Sequence, residues 1–150
     1  MNVDPRGQRF AAAVTSVVLA AVLVTESLWL LVFQSVVFAV GATAGVRRSP
    51  YSLLFARLVR PRLGPPAETE APQPPQFAQA VGLAFALVGV AGFALGLTVV
   101  GLVATGLALA AALLNAVFGL CLGCELYLLI RRTLTAHNRN RANKPTEVST

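Results

Sequence analysis

Charge is what this chain has least of. Only 12% of its 150 residues are Asp, Glu, Lys or Arg, against about 25% in soluble domains. Two apolar runs, residues 10–45 and 77–124, contain one charged side chain between them, Glu26. A proton or ion path wants several ionisable groups facing a cavity, and polar residues inside these runs such as Glu26, Gln34 and Asn115 do not supply one. There is one histidine, His137, and there are two cysteines, so a four-ligand metal site would need Glu125, His137 or a second subunit; no metal and no cofactor is expected. Neither a Ser/His/Asp set nor a carboxylate pair within a span nor a Gly-rich phosphate loop is present, which removes the common catalytic constellations.

What the chain does have is apolar length. With 56% hydrophobic residues and a mean hydropathy of +0.71 it reads as a membrane protein rather than a soluble domain. Each long run holds about two spans of about 20 residues. The expected fold is therefore all-α, an integral membrane bundle of four transmembrane helices with a short interfacial helix in the central loop. The spans are expected at about 9–25, 27–46, 77–96 and 99–122, the last helix continuing to about 132 and closing a single membrane domain over residues 1–132. The basic stretch 133–150 is expected to be a disordered tail. The first apolar run follows Arg6 and Arg9 as a signal peptide would, but it continues too far and shows no clean cleavage site, so it is expected to be retained.

Local signals place the turns. Asp4-Pro5-Arg6-Gly7 leads into the first helix, Thr25-Glu26-Ser27 divides the first run and Gly96-Leu97-Thr98 the second. Ser49-Pro50 reads as a helix start and Pro61 as a stop, with Leu54, Phe55, Leu58 and Val59 on one face and Arg57 and Arg60 toward another. Residues 64–75 are Pro-rich and expected to be extended and exposed. Gly89, Gly92 and Gly96, and separately Gly119 and Gly123, have the spacing that lets membrane helices approach closely.

Topology follows from charge. With four spans, both termini and the loop at 46–76 share one side, and all 12 Lys and Arg residues fall there. The positive-inside rule makes that side the cytoplasm of a plasma membrane. The net charge of +6 is then read as contact with anionic lipid headgroups through Arg57, Arg60, Arg62, Arg131 and Arg132. Nucleic-acid binding is not expected, since no basic stripe is interleaved with aromatics on a soluble module.

Both cysteines, Cys121 and Cys124, lie in a Cys-x-x-Cys motif just before Arg131-Arg132. At i and i+3 of one helix the sulfurs are neighbours, able to close a disulfide, and form the candidate redox dithiol. Arg131 and Arg132 favour a thiolate, whereas Glu125, partial burial and a place at the C-terminal end of the last helix oppose it; a low-pKa nucleophile is not expected. The alternative is that two cysteines pack as small hydrophobes. A dimer that buries the Gly-rich faces is also expected.

Asp4-Pro5-Arg6, Leu58-Val-Arg-Pro-Arg-Leu-Gly-Pro-Pro66, Pro75-Gln-Phe-Ala-Gln-Ala-Val-Gly-Leu83 and Phe118-Gly-Leu-Cys-Leu-Gly-Cys-Glu-Leu-Tyr127 together resemble domain-of-unknown-function family 4395, a bacterial membrane family, up to about Arg132. The resemblance implies a four-span bacterial membrane protein. It also implies a context of thioredoxin-like and rhodanese-like sulfur-handling partners. Two functions remain open, an accessory in thiol redox or sulfur handling, and a non-enzymatic anchor that recruits a cytoplasmic partner through its loop and tail.

Overall fold

The computed structural model describes residues 2–142. It is built from helices: α1 (Pro5–Thr25), α2 (Leu28–Thr43), a 3-10 turn (Val46–Arg48), α3 (Pro50–Leu58), the single turn α4 (Arg60–Leu63), α5 (Gln73–Ala94), α6 (Thr98–Phe118) and α7 (Leu122–Ala142). Three of them, α1, α5 and α6, are long and apolar enough to cross a membrane. The shorter α2 is equally apolar, but at 16 residues it rises only about 24 Å, less than the roughly 30 Å hydrocarbon core.

The hairpin turns fall where the local signals put them. At the first, Glu26 closes α1 in the left-handed region (φ 50°), its N–H donating to the Val22 carbonyl at 2.7 Å, and Ser27 caps α2. At the second, Gly96 takes φ 74° between α5 and α6. Asp4 caps α1 by accepting from the Arg6 N–H at 2.9 Å, and Pro5 takes the first helical position, where no N–H is needed.

Packing is set by glycines that the apolar runs supply. A Cβ on Gly92 would stand 2.6 Å from the backbone nitrogen of Gly101, so α5 and α6 meet backbone to backbone there. Gly82 accommodates the ring of Phe38, and Gly89 accommodates Leu31 and Thr105. Leu19, Val22, Leu31, Phe38, Ala86 and Ala108 make the core. Gly96 and Gly119, which share the packing spacing in sequence, instead take positive φ at helix ends.

The loop end is tied together more closely than its composition suggests. The Pro-rich segment is not simply extended and free: Val3 and Glu70 exchange backbone hydrogen bonds at 2.8 and 2.9 Å, and the Gln8 amide donates to the Glu70 carboxylate at 3.1 Å. Gln76 donates to the Ala42 carbonyl at 2.7 Å, joining α5 to α2. Thus α5 begins at Gln73, a turn earlier than residue 77, because Pro74 and Pro75 fit a first turn that needs no N–H.

The apolar face expected on α3 is divided. Tyr51 and Phe55, one turn apart, turn inward, Phe55 against Gly7 and the ring of Phe10, while Leu54 and Leu58 face outward beside Arg57. Tyr51 donates its hydroxyl to Gln34 Oε1 at 2.8 Å, and burial pushes the phenol above its usual range, which keeps it a donor. Gln34 Nε2 is buried and has no partner among the described residues. Tyr51→Phe should therefore leave both ends of a buried amide unpaired and destabilise the bundle by about 1–3 kcal/mol. Unfolding in detergent would report this, and adding Gln34→Leu should recover part of the loss; an unchanged midpoint for Tyr51→Phe would count against the bond.

Candidate functional site

The last helix does not run through the cysteines. α6 ends at Phe118 because Gly119 turns left-handed (φ 69°), its N–H bonding the Asn115 carbonyl at 3.0 Å and the Leu120 N–H bonding the Leu114 carbonyl at 3.3 Å. That double closure is a helix stop. A new helix, α7, begins at Leu122 and continues to Ala142, so residues 133–142, expected to be disordered, are helical; residues 143–150, Lys144 among them, lie outside the described residues.

This break reverses the electrostatic setting of the pair. Cys121 stands immediately before the first helical residue, its carbonyl accepting from the Glu125 N–H at 3.0 Å and its Sγ accepting from the Cys124 N–H at 3.3 Å. A side chain in that position accepts from the third helical residue, as a Ser or Asp cap would. The cysteines therefore lie at the positive N-terminal end of α7, not at the negative C-terminal end of a longer helix, and the dipole favours negative charge on a reduced sulfur. Their Cα atoms are 5.2 Å apart and the sulfurs lie at disulfide distance.

α7 leaves this point across the N-terminal half of α5. Gly123 presses against Ala78, and the rings of Phe77 and Tyr127 lie 5.7 Å apart. Arg131 sits over the Tyr127 ring, 6.0 Å from its centroid, and seven residues beyond Cys124 it is about 10 Å further along the axis. Arg131 and Arg132 are exposed. The basic residue nearest the break is Arg9, which donates to the Ala116 carbonyl at 3.3 Å and the Val117 carbonyl at 3.0 Å, satisfying the end of α6 from α1. Its sequence position beside a span reads only as topology, so this role was not legible there. Arg57, Arg60 and Arg62 are exposed on α3 and α4, beside the exposed Leu54 and Leu58.

Behind the pair lies a cavity of about 310 Å³ between α1, α5, α6 and the start of α7. Cys121 is in its wall, and so are the polar residues Gln8, Thr15, Gln79 and Asn115. The rest is mainly alanine, glycine and branched aliphatic surface. Asn115 and Gln79 both stand in the sequence as amide residues inside expected spans; that they and Thr15 share one space is legible only in the folded bundle.

No curated protein and no solved structure matches the chain. A family model described as "Domain of unknown function (DUF4395)" matches residues 3–132, which takes in the helix start at Asp4, the central loop and the cysteine motif. The chain belongs to this family.

Proposed function

We propose that this is a four-span protein of the bacterial plasma membrane, with both termini cytoplasmic, whose Cys121–Cys124 pair accepts electrons from a cytoplasmic dithiol protein of thioredoxin-like or rhodanese-like type. The observation that carries the reading is the helix start at Cys121: its sulfur accepts an amide N–H at the positive end of α7. A thiolate stabilised in this way is a good leaving group. The partner's thiolate attacks Cys124 Sγ, the Cys121–Cys124 bond breaks, and its electron pair stays on Cys121 Sγ. A second thiolate of the partner then attacks the mixed disulfide and releases Cys124. The partner ends as a disulfide and the pair as a dithiol, with two electrons transferred.

Three long apolar helices and the shorter α2, tilted or locally thinning the bilayer, supply the four crossings. Exposed Leu54 and Leu58 beside Arg57, Arg60 and Arg62 suit an anionic headgroup region. The same residues support the competing reading of an anchor, which differs in being indifferent to the cysteines.

Differential alkylation in intact membranes, before and after reduction and after diamide, tests the proposal. Wild type should show a reversible intramolecular disulfide. Cys121→Ser should accumulate a mixed disulfide with its partner through Cys124. In Cys124→Ser, the remaining Cys121 should alkylate faster than Cys124 does in Cys121→Ser. Two thiols that stay reduced after diamide and trap no partner would leave the pair as packing.

A further inference from the structure

A disulfide that oxidises a partner must be restored, and the groups that surround Cys121 suggest how. The pair gives up two electrons at a time. A diffusible two-electron oxidant soluble in the bilayer is able to reach a cavity among apolar helices and to take both. The cavity has the volume for a one- or two-ring head group, about 310 Å³, near the lower end of the roughly 300–1,000 Å³ usual for small-molecule sites.

Its walls are suited to a flat molecule. Ala11 and Ala12 of α1 and Ala108, Ala111 and Ala112 of α6 leave room because their side chains are short. Besides Cys121, four polar residues line this space, Gln8, Thr15, Gln79 and Asn115, and of these Gln8 already donates to the Glu70 carboxylate. Thr15 is only 6% exposed, and Gln79 and Asn115 are half-buried. An amide group in an apolar cavity is costly unless something there accepts its N–H. A ring carrying carbonyl oxygens at opposite ends is such an acceptor, and it is also a two-electron oxidant soluble in the bilayer.

We infer that the cavity binds the head group of a lipophilic para-quinone, held by Asn115 and Gln79 against Cys121, and that this quinone reoxidises the pair. The inference rests on the dithiol reading above. The Cys121 thiolate adds to the quinone ring, forming a C–S bond. The Cys124 thiolate then attacks Cys121 Sγ; the S–S bond forms, the C–S bond breaks, and its electron pair leaves with the ring. The two protons of the thiols end on the two oxygens. The balance is dithiol plus quinone to disulfide plus hydroquinone. Cys121 carries the addition because it is in the cavity wall and Cys124 is not; Cys124 meets the partner.

The test uses the full chain, reduced and held in lipid nanodiscs, with a decyl-substituted benzoquinone as probe. Loss of quinone absorbance and of alkylatable thiol are followed together. Wild type should consume one quinone per disulfide formed. Ala112→Phe fills the cavity and should slow the reaction at least about tenfold, while Asn115→Leu, losing one hydrogen bond, should raise the half-saturating quinone concentration about 3–10-fold. Elution profile and helical circular dichroism establish that each variant is folded; if Ala112→Phe is not, Asn115→Leu decides. Equal rates in wild type and folded Ala112→Phe, or an unchanged half-saturation in Asn115→Leu, would overturn the quinone site. A wild type oxidised reversibly by diamide but never by the quinone also overturns it and leaves the dithiol reading standing. A wild type that responds to neither removes both.

Discussion

Gly92→Val is expected to cost the chain its α5–α6 pair. The first side-chain carbon would meet the Gly101 nitrogen at 2.6 Å, the Gly101 Cα at 3.0 Å and the Val100 carbonyl carbon at 3.2 Å. All three are backbone atoms that no rotamer change can move. The helices must separate, and in lipid there is no hydrophobic force to hold separated helices together. Overpacking a core costs about 1–3 kcal/mol and more when backbone has to shift; the gain in helix propensity over glycine returns at most about 1 kcal/mol. A loss of about 3 kcal/mol or more is expected, read as a lower unfolding midpoint in detergent. Gly106→Ala is the control: nothing lies within 4 Å of its Cβ, so that midpoint should hold or rise slightly. If Gly92→Val unfolds with Gly106→Ala, the close approach does not hold the bundle.

The same glycines show how far the sequence could be read. The turns at Glu26 and Gly96 were legible because a short polar step or a glycine interrupts a run about twice the length of one span. The start of α3 was legible from Ser49-Pro50, since proline fits a first turn and few other places. Which glycine packs and which one turns was not. Gly92 faces Gly101 only because α6 folds back along α5, and Gly119 takes a positive φ where Arg9, from the far end of the sequence, covers the freed carbonyls. A periodicity of small residues is the same whether the neighbour is a helix, a turn or a cap.

That ambiguity also misplaced the chemistry. Both cysteines were plain in the sequence, but their electrostatic setting depends on one residue: if Gly119 continues a helix they lie at its negative end, and if it stops one they begin the next at the positive end. The inward turn of Tyr51 was hidden for a related reason. Its partner, Gln34, is 17 residues away on another helix, and a lone glutamine in an apolar run does not announce what will bond it.

Gly123 is where helix packing and the cysteine pair meet, and Gly123→Ala should disturb both at once. Its Cβ would lie 2.6 Å from both Cα and Cβ of Ala78, with Gly123 set between the two cysteines. The start of α7 must lift from α5, weakening the contact of Phe77 with Tyr127 and opening the cavity wall beside Cys121. We expect a loss of about 2 kcal/mol in stability, and faster alkylation of the reduced pair than in wild type. Adding Ala78→Gly removes one of the two contacted atoms but leaves the Ala78 Cα position occupied at the same distance. Rescue should therefore be partial, with a coupling of about 0.5–1.5 kcal/mol in the double-mutant cycle. Strict additivity would show that Ala78 does not position α7. Full rescue would mean that the Cβ alone sets the spacing and that the two backbones can move together, in which case the pair is held less rigidly than the contact implies.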